Sequence, residues 1–170
     1  MIITLTGYMG SGKSSTGARL AALLGCDFID LDCYIADKAA KSIPEIFSED
    51  GEKAFRAIEA ESLRDVVVMH ALTCRDAVIA LGGGTVMTCA LQDLIFGETF
   101  CIWLRAGVEQ LRLRVGSGKG RPLADSRFEE RLREREAVYS RAAMTVDTDG
   151  LSSDQVALLI ESELKKRNAQ

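Results

Sequence analysis

The tightest constraint on what this chain can fold into is a stretch near its start, Gly7-Tyr8-Met9-Gly10-Ser11-Gly12-Lys13-Ser14-Ser15. It follows the apolar run Ile2-Ile3-Thr4-Leu5 and precedes a segment with helical periodicity. Residues so rich in glycine and serine bury little, so the neighbours must build the core. Gly7 to Ser14 fit G-x-x-x-x-G-K-[ST] in full, with a strand before and a helix after. Glycines there let the backbone curl until successive N–H groups point inward, and the helix adds the positive end of its dipole. The product is a cradle for phosphate oxygens, formed by Gly10, Ser11, Gly12, Lys13, Ser14 and Ser15. Lys13 would reach the β- and γ-phosphates as a mobile charge, and the Ser14 hydroxyl would sit on Mg²⁺. A flexible turn before a helix would explain the glycines but not the Lys-Ser pair at this offset. An ATP or GTP site is expected.

The rest of the chain alternates. Short apolar runs predict strands over 2–5, 28–31, 78–81, 100–104 and 144–147. Helical periodicity predicts helices over 15–24, 33–41, 43–49, 52–69, 108–115, 128–142 and 154–166, with Pro44 in a first turn. Strands alternating with helices imply parallel βαβ units covered on both faces. The fold class is therefore α/β: a P-loop NTPase-type three-layer sandwich, with a central parallel sheet and helices on both faces. Residues 1–170 are read as one domain, a length that allows one substantial core. Gly116-Ser117-Gly118-Lys119-Gly120 is expected to be a mobile loop.

Composition narrows the partners. A net charge of −4, from 21 basic and 25 acidic residues, gives no broad basic face for nucleic acid. No apolar run is long enough to cross a bilayer, and the N-terminus lacks a signal-peptide pattern, so no membrane partner is expected. Five cysteines without a CxxC read as reduced thiols, which suggests a cytoplasmic protein. The single histidine rules out His-based metal clusters. With no evident assembly motif, a monomer is expected.

In open α/β sheets, ligands bind beyond the carboxyl ends of the strands. Asp30 and Asp32 end the second predicted strand, and residues two apart on a strand face the same way, so both carboxylates could enter one cleft. A solvated strand end or a helix N-cap is the blander reading of that pair. Gly82-Gly83-Gly84, after the third strand, offers backbone donors that a ligand can approach closely. Arg56 and Glu59 are surface neighbours on a helix, where a simple salt bridge with Glu52 or Glu59 would account for them.

Together these segments resemble one family, the shikimate kinases. The resemblance rests on GYMGSGKS, Asp30-Leu31-Asp32, Phe55-Arg56-Ala57-Ile58-Glu59, Gly82-Gly83-Gly84, Arg121-Pro122-Leu123 and Arg135-Glu136-Ala137-Val138-Tyr139, in order over nearly the whole chain. The glycine stretch is common to many NTPases, whereas D-x-D with F-R-x-x-E and G-G-G is specific. The resemblance implies transfer of the ATP γ-phosphate to the 3-hydroxyl of shikimate, in the pathway to chorismate and the aromatic amino acids. It implies that Asp32 holds the ring hydroxyls and takes the reacting proton, and that Arg56 and Arg135 clamp the carboxylate, a task suited to arginine's planar fork. Gly82, Gly83 and Gly84 would add backbone contacts, Asp30 would help to hold hydrated Mg²⁺, and Arg114 would pack on the adenine. Arg121 would swing onto the phosphates from a lid at about 116–126, and the acceptor would lie in a small helical region at about 32–61. Lys13, Asp32 and Arg121 are thus the catalytic candidates.

Two departures stand out. Ala137-Val138 replaces the family's Pro-Leu before Tyr139, and the segment from Arg121 to Arg135 is shorter by several residues. Arg131 and Arg133 stand near enough to replace Arg135. Two other functions fit parts of the pattern: a kinase for another hydroxy acid such as gluconate, and a catalytically silent nucleotide-binding module. Outside the motifs, His70 and Trp103 are expected in the core, and Tyr139 against the final helix. Phe47 and Phe55 would serve as core or pocket wall, and Cys33, beside Asp32, lacks any sign of thiolate activation.

Overall fold

The structure, a computed structural model, describes residues 1–116 and 128–169. Strands β1 (Ile2–Thr6), β2 (Asp27–Asp30), β3 (Ala77–Ala80), β4 (Phe100–Arg105) and β5 (Met144–Asp147) form one sheet in the order β2-β3-β1-β4-β5. Every pairing is parallel, with Ile3 opposite both Val78 and Phe100. Strand side chains alternate faces, and here both faces are apolar. Ile79, Cys101 and Trp103 point into one buried cluster, while Ile3, Leu5, Val78, Ile102 and Leu104 point into another.

Two helices cover the second face: α1 (Lys13–Leu24), through Leu20 and Ala21, and α8 (Ser153–Asn168), through Val156, Ala157, Ile160 and Leu164. The opposite face is covered by α2 (Leu31–Ala39), α3 (Ile43–Glu49) and α4 (Gly51–Leu72). Helix α4 buries Phe55, Glu59, Ser62, Leu63, Val66, Val67 and His70, a stripe at spacings of one, three and four. Helix α7 (Phe128–Tyr139) adds Tyr139 to that same cluster. Helix α6 (Val108–Gly116) follows β4. The expected three-layer α/β sandwich is therefore the observed one.

Several expectations need correction. The second strand stops at Asp30, and Asp32 lies in the first turn of α2 rather than on a strand. The cause is local: the Asp30 carboxylate accepts from the N–H groups of Asp32 and Cys33, which caps the helix. A 3₁₀ turn (Thr85–Met87), helix α5 (Cys89–Asp93) and a π-helical turn (Leu94–Glu98) fill a stretch where the sequence pattern predicts no element. The expected lid beyond Gly116, with Arg121, Pro122 and Leu123, lies outside the described residues. Among the described residues no helix is long and apolar enough to cross a membrane.

Candidate active site

The described pieces of the expected site stand at the carboxyl end of the sheet. Beyond β1 the chain turns at Gly7 with φ 142, and a Cβ there would lie 2.6 Å from the Leu104 carbonyl oxygen, so only glycine fits. Gly10 and Gly12 also have positive φ, at 81 and 93. Gly12 caps α1, so Lys13, Ser14 and Ser15 occupy the first turn, where backbone N–H groups lack helical partners. The hydroxyl of buried Ser11 has no hydrogen-bond partner among the described residues. That set of donors suits an anion.

Lys13 folds back over this loop, donating from Nζ to the carbonyl oxygens of Gly7 (2.9 Å) and Tyr8 (3.1 Å). Burial pulls its pKa from 10.5 down to about 8; the Asp32 and Asp30 carboxylates oppose the drop and the Arg135 cation adds to it. Ser14 Oγ donates to Asp30 Oδ2 at 2.5 Å. Asp30 therefore does two things at once, capping α2 through Oδ1 and meeting Ser14 through Oδ2. A hydroxyl and a carboxylate side by side at a phosphate cradle are hard oxygen donors, the set that suits Mg²⁺.

A cavity of about 280 Å³ opens beside the loop, between Ser11, Ser15, Arg114, Thr148, Leu151 and Ser152. Arg114 spans it, donating to Gly10 O (3.4 Å), Thr148 Oγ1 (3.3 Å) and Thr148 O (3.0 Å). The residues following β5 were missed from sequence. Their one signal is the Ser152…Gln155 capping box, which sets the N-terminus of α8 against the cavity.

On the other side, two charged groups converge on the glycine triplet. A Cβ added to Gly82 would stand 2.9 Å from Asp32 Oδ1, and one added to Gly84 would stand 3.1 Å from the Arg56 guanidinium. The crowding is the physical reason for glycine here, since φ at neither position demands it. Arg56 donates to Glu59 Oε2 at 2.8 Å and to Glu52 at 3.4 Å, so the simple helical salt bridge also exists. Glu59, however, is 1 % exposed, and its Oε1 accepts from Thr85 Oγ1 at 2.7 Å. A buried carboxylate with both oxygens engaged ties α4 to the turn after the glycines. From sequence, Glu59 stands out only as a neighbour of Arg56.

From α7, Arg135 donates to Gly83 O at 3.2 Å, and Tyr139 Oη donates to the same oxygen at 2.8 Å. Tyr139 thus packs on the glycine turn and on Trp103, not on the final helix; burial pushes its pKa up to about 12, with the Arg135 cation opposing, so it remains a donor. Arg135 is the α7 arginine that reaches Gly83, while Arg133 is exposed. Asp32 also borders a mostly apolar cavity of about 590 Å³ between α2 and α3, lined by Cys33, Ile43, Pro44 and Phe47. Phe47 is therefore wall, and Phe55, stacked on it with centroids 4.6 Å apart, is core. The neighbouring Asp30 carboxylate raises the pKa of the exposed Cys33 thiol, the opposite of activation. His70 is buried, with Nδ1 2.8 Å from Val66 O and Nε2 3.3 Å from Asp27. Arg121 lies outside the described residues.

Known proteins share this sequence pattern and fold. The model of the family described as Shikimate kinase matches residues 9–165. A shikimate kinase of Moorella thermoacetica is 38% identical over 167 residues, covering 96% of this chain and 94% of that one. The solved shikimate kinase of Acinetobacter baumannii in complex with shikimate superposes with a TM-score of 0.86 at 29% identity, over 99% of this chain and 95% of that one. The Aquifex aeolicus shikimate kinase gives 0.85 at 28% identity, with 99% of each chain covered.

Proposed function

Because this chain belongs to the shikimate kinase family, we propose that it transfers the γ-phosphate of ATP to the 3-hydroxyl of shikimate, giving shikimate 3-phosphate and ADP. It is an ATP-dependent phosphotransferase acting on an alcohol. The observation that carries the choice of acceptor is the convergence of Asp32 and Arg56 on Gly82–Gly84 beside Lys13. A small acid bearing hydroxyls needs one anion to orient its hydroxyls and one cation to hold its carboxylate, both close to the γ-phosphate.

In this reading Asp32 accepts the proton of the attacking hydroxyl as the new O–P bond forms and the bond to the β-phosphate oxygen breaks. Arg56, held in place by buried Glu59, and Arg135 clamp the carboxylate. Lys13 exchanges two backbone carbonyls for phosphate oxygens, so its charge is delivered where negative charge gathers. Gly10 to Ser15 cradle the phosphates, and Arg114 borders the base. Ser14 and Asp30 would hold Mg²⁺, which supplies further charge neutralisation on the phosphates when bound. The proposal extends to a single domain with an acceptor region at about 32–61 and a lid at about 116–126. Closing that lid would bring Arg121 to the phosphates and exclude water. It extends also to a cytoplasmic monomer.

A coupled ADP-release assay with shikimate, quinate and gluconate tests the reading. Turnover is expected with shikimate, while Asp32→Asn and Arg56→Ala lose most of it yet still bind ATP. Turnover with gluconate alone, or full activity in Arg56→Ala, would overturn it.

A further inference from the structure

Tyr8 occupies a variable position of the glycine pattern, where the motif itself makes no demand on the side chain. The ring is nevertheless buried, 6 % exposed, within a small apolar cluster that includes Leu111 of α6 and Phe128 and Leu132 of α7. It meets Phe128 edge to face, with centroids 5.2 Å apart and planes at 83°. Its face carries the Arg135 guanidinium, whose carbon lies 5.0 Å from the ring centre. A guanidinium stacked on a ring and donating to Gly83 O is fixed in two directions at once. The surfaces behind these contacts also touch: a Cβ on Gly83 would stand 3.4 Å from the Met9 nitrogen. The nucleotide loop and the acceptor turn are therefore one packed unit at this point.

We propose that Tyr8, although it lies inside the nucleotide motif, is a positioning residue for the acceptor, setting the orientation of Arg135 through the face of its ring. This rests on the reading of Arg135 as part of the carboxylate clamp. The ring contributes no hydrogen bond to the proposal; the attraction is that of a cation for an aromatic face, in a partly buried setting where such contacts count for more than at the surface. Removing the face leaves Arg135 held only along its edge, by Gly83 O and the Tyr139 hydroxyl, so the carboxylate meets a guanidinium whose plane is no longer fixed.

The test is Tyr8→Leu, which keeps apolar volume in the cluster but removes the ring, and Tyr8→Met, which does so with a different filler. Each is compared with Tyr8→Phe, which keeps the ring. With Tm as the fold control, KM for shikimate, kcat and the equilibrium Kd for ATP are measured in the native and Arg135→Gln backgrounds. Tyr8→Leu and Tyr8→Met are expected to raise the shikimate KM about tenfold, with the ATP Kd and kcat changing less than twofold, and Tyr8→Phe to keep the low KM. In Arg135→Gln, whose KM is already raised, removing the ring is expected to add nothing. A change that falls on ATP affinity, or that multiplies undiminished with Arg135→Gln, overturns the role given to Tyr8 alone. An Arg135→Gln variant with native KM overturns the clamp itself, and with it this proposal.

Discussion

The site should lose its hold on ATP at a pH where lysines are ordinarily still charged. Lys13 has two backbone carbonyls of the loop as partners, and burial brings its pKa to about 8 from 10.5. Only the charged form neutralises a phosphate. With a pKa of about 8, roughly nine-tenths of the lysine is charged at pH 7 and roughly one-tenth at pH 9. The apparent affinity should therefore fall about tenfold across that interval, or about 1.4 kcal/mol. For stability the sign is opposite. The unfolded chain, with an ordinary lysine, binds more protons than the folded one between about pH 8 and 10.5, so this residue's contribution to folding becomes more favourable as pH rises through that window. Equilibrium binding of a non-hydrolysable ATP analogue at fixed Mg²⁺, from pH 7 to 9.5, checks the first claim. Lys13→Arg, charged throughout, should give a flat profile. Once phosphate is bound the ammonium has a counter-charge, so kcat should stay level to higher pH than kcat/KM. An affinity that is flat to pH 9.5 in the native protein would show that the loop does not depress this lysine.

Three substitutions probe the scaffold around it. Gly82→Ala puts a methyl group 2.9 Å from Asp32 Oδ1 and 3.0 Å from Thr85 Oγ1, so the carboxylate must turn away; turnover should drop at least tenfold with ATP binding kept, and native turnover would refute the crowding. Gly17→Ala gains about 1 kcal/mol of helix propensity, but its Cβ would lie 2.6 Å from Phe28 Cε2 and 3.2 Å from Leu5 Cδ1, and overpacking of this kind costs about 1–3 kcal/mol. The net should be a loss of about 1 kcal/mol, read as a Tm lower by about 2–4 °C; a higher Tm would mean that helix propensity outweighs the clash. Glu59→Gln keeps the shape but removes the charge between Arg56 and Thr85, and should raise the shikimate KM and lower stability by about 1–3 kcal/mol, checked by steady-state kinetics and denaturant titration.

What the sequence revealed, and what it hid, follows from how local each signal is. The glycine loop is legible because positive φ at Gly10 and Gly12 leaves a compositional mark within eight residues. The strands are legible because a sheet covered on both faces demands continuous apolar runs. The period-two pattern puts Asp30 and Asp32 on one strand face, yet they meet one site because Asp30 caps the helix that carries Asp32. Local chemistry overrides the pattern there. Glu59 is easily underrated because its importance lies in burial and in Thr85, 26 residues away, neither of which leaves a local trace. Tyr139 is assigned to the wrong neighbour for the same reason: its partner, the Gly83 carbonyl, is 56 residues distant. Thr148 and Leu151 reach the cavity beside the glycine loop through the position of β5 at the sheet's edge.

The register of three strands accounts for why such distant segments form one site. Leu5 of β1 and Asp30 of β2 both lie opposite Ala80 of β3. The chain therefore leaves β1 at Gly7, β2 at Leu31 and β3 at Leu81, just before the glycine triplet, within about two strand spacings, roughly 10 Å across. The glycine loop, Asp32 and the glycine turn are held at that separation by backbone hydrogen bonds rather than by the side chains to which the proposed function assigns the chemistry. A transferring phosphoryl group needs its donor and acceptor positioned to a fraction of an ångström, and loops alone could not supply that. In this fold the sheet does so, and the proposed function then asks of Lys13, Asp32 and Arg56 only their charge. A slip of one residue in β3 would turn its side chains to the opposite face and carry the glycine turn off Met9. The apolar residues of β3, remote from any substrate, are thus as necessary to the site as the residues that line it.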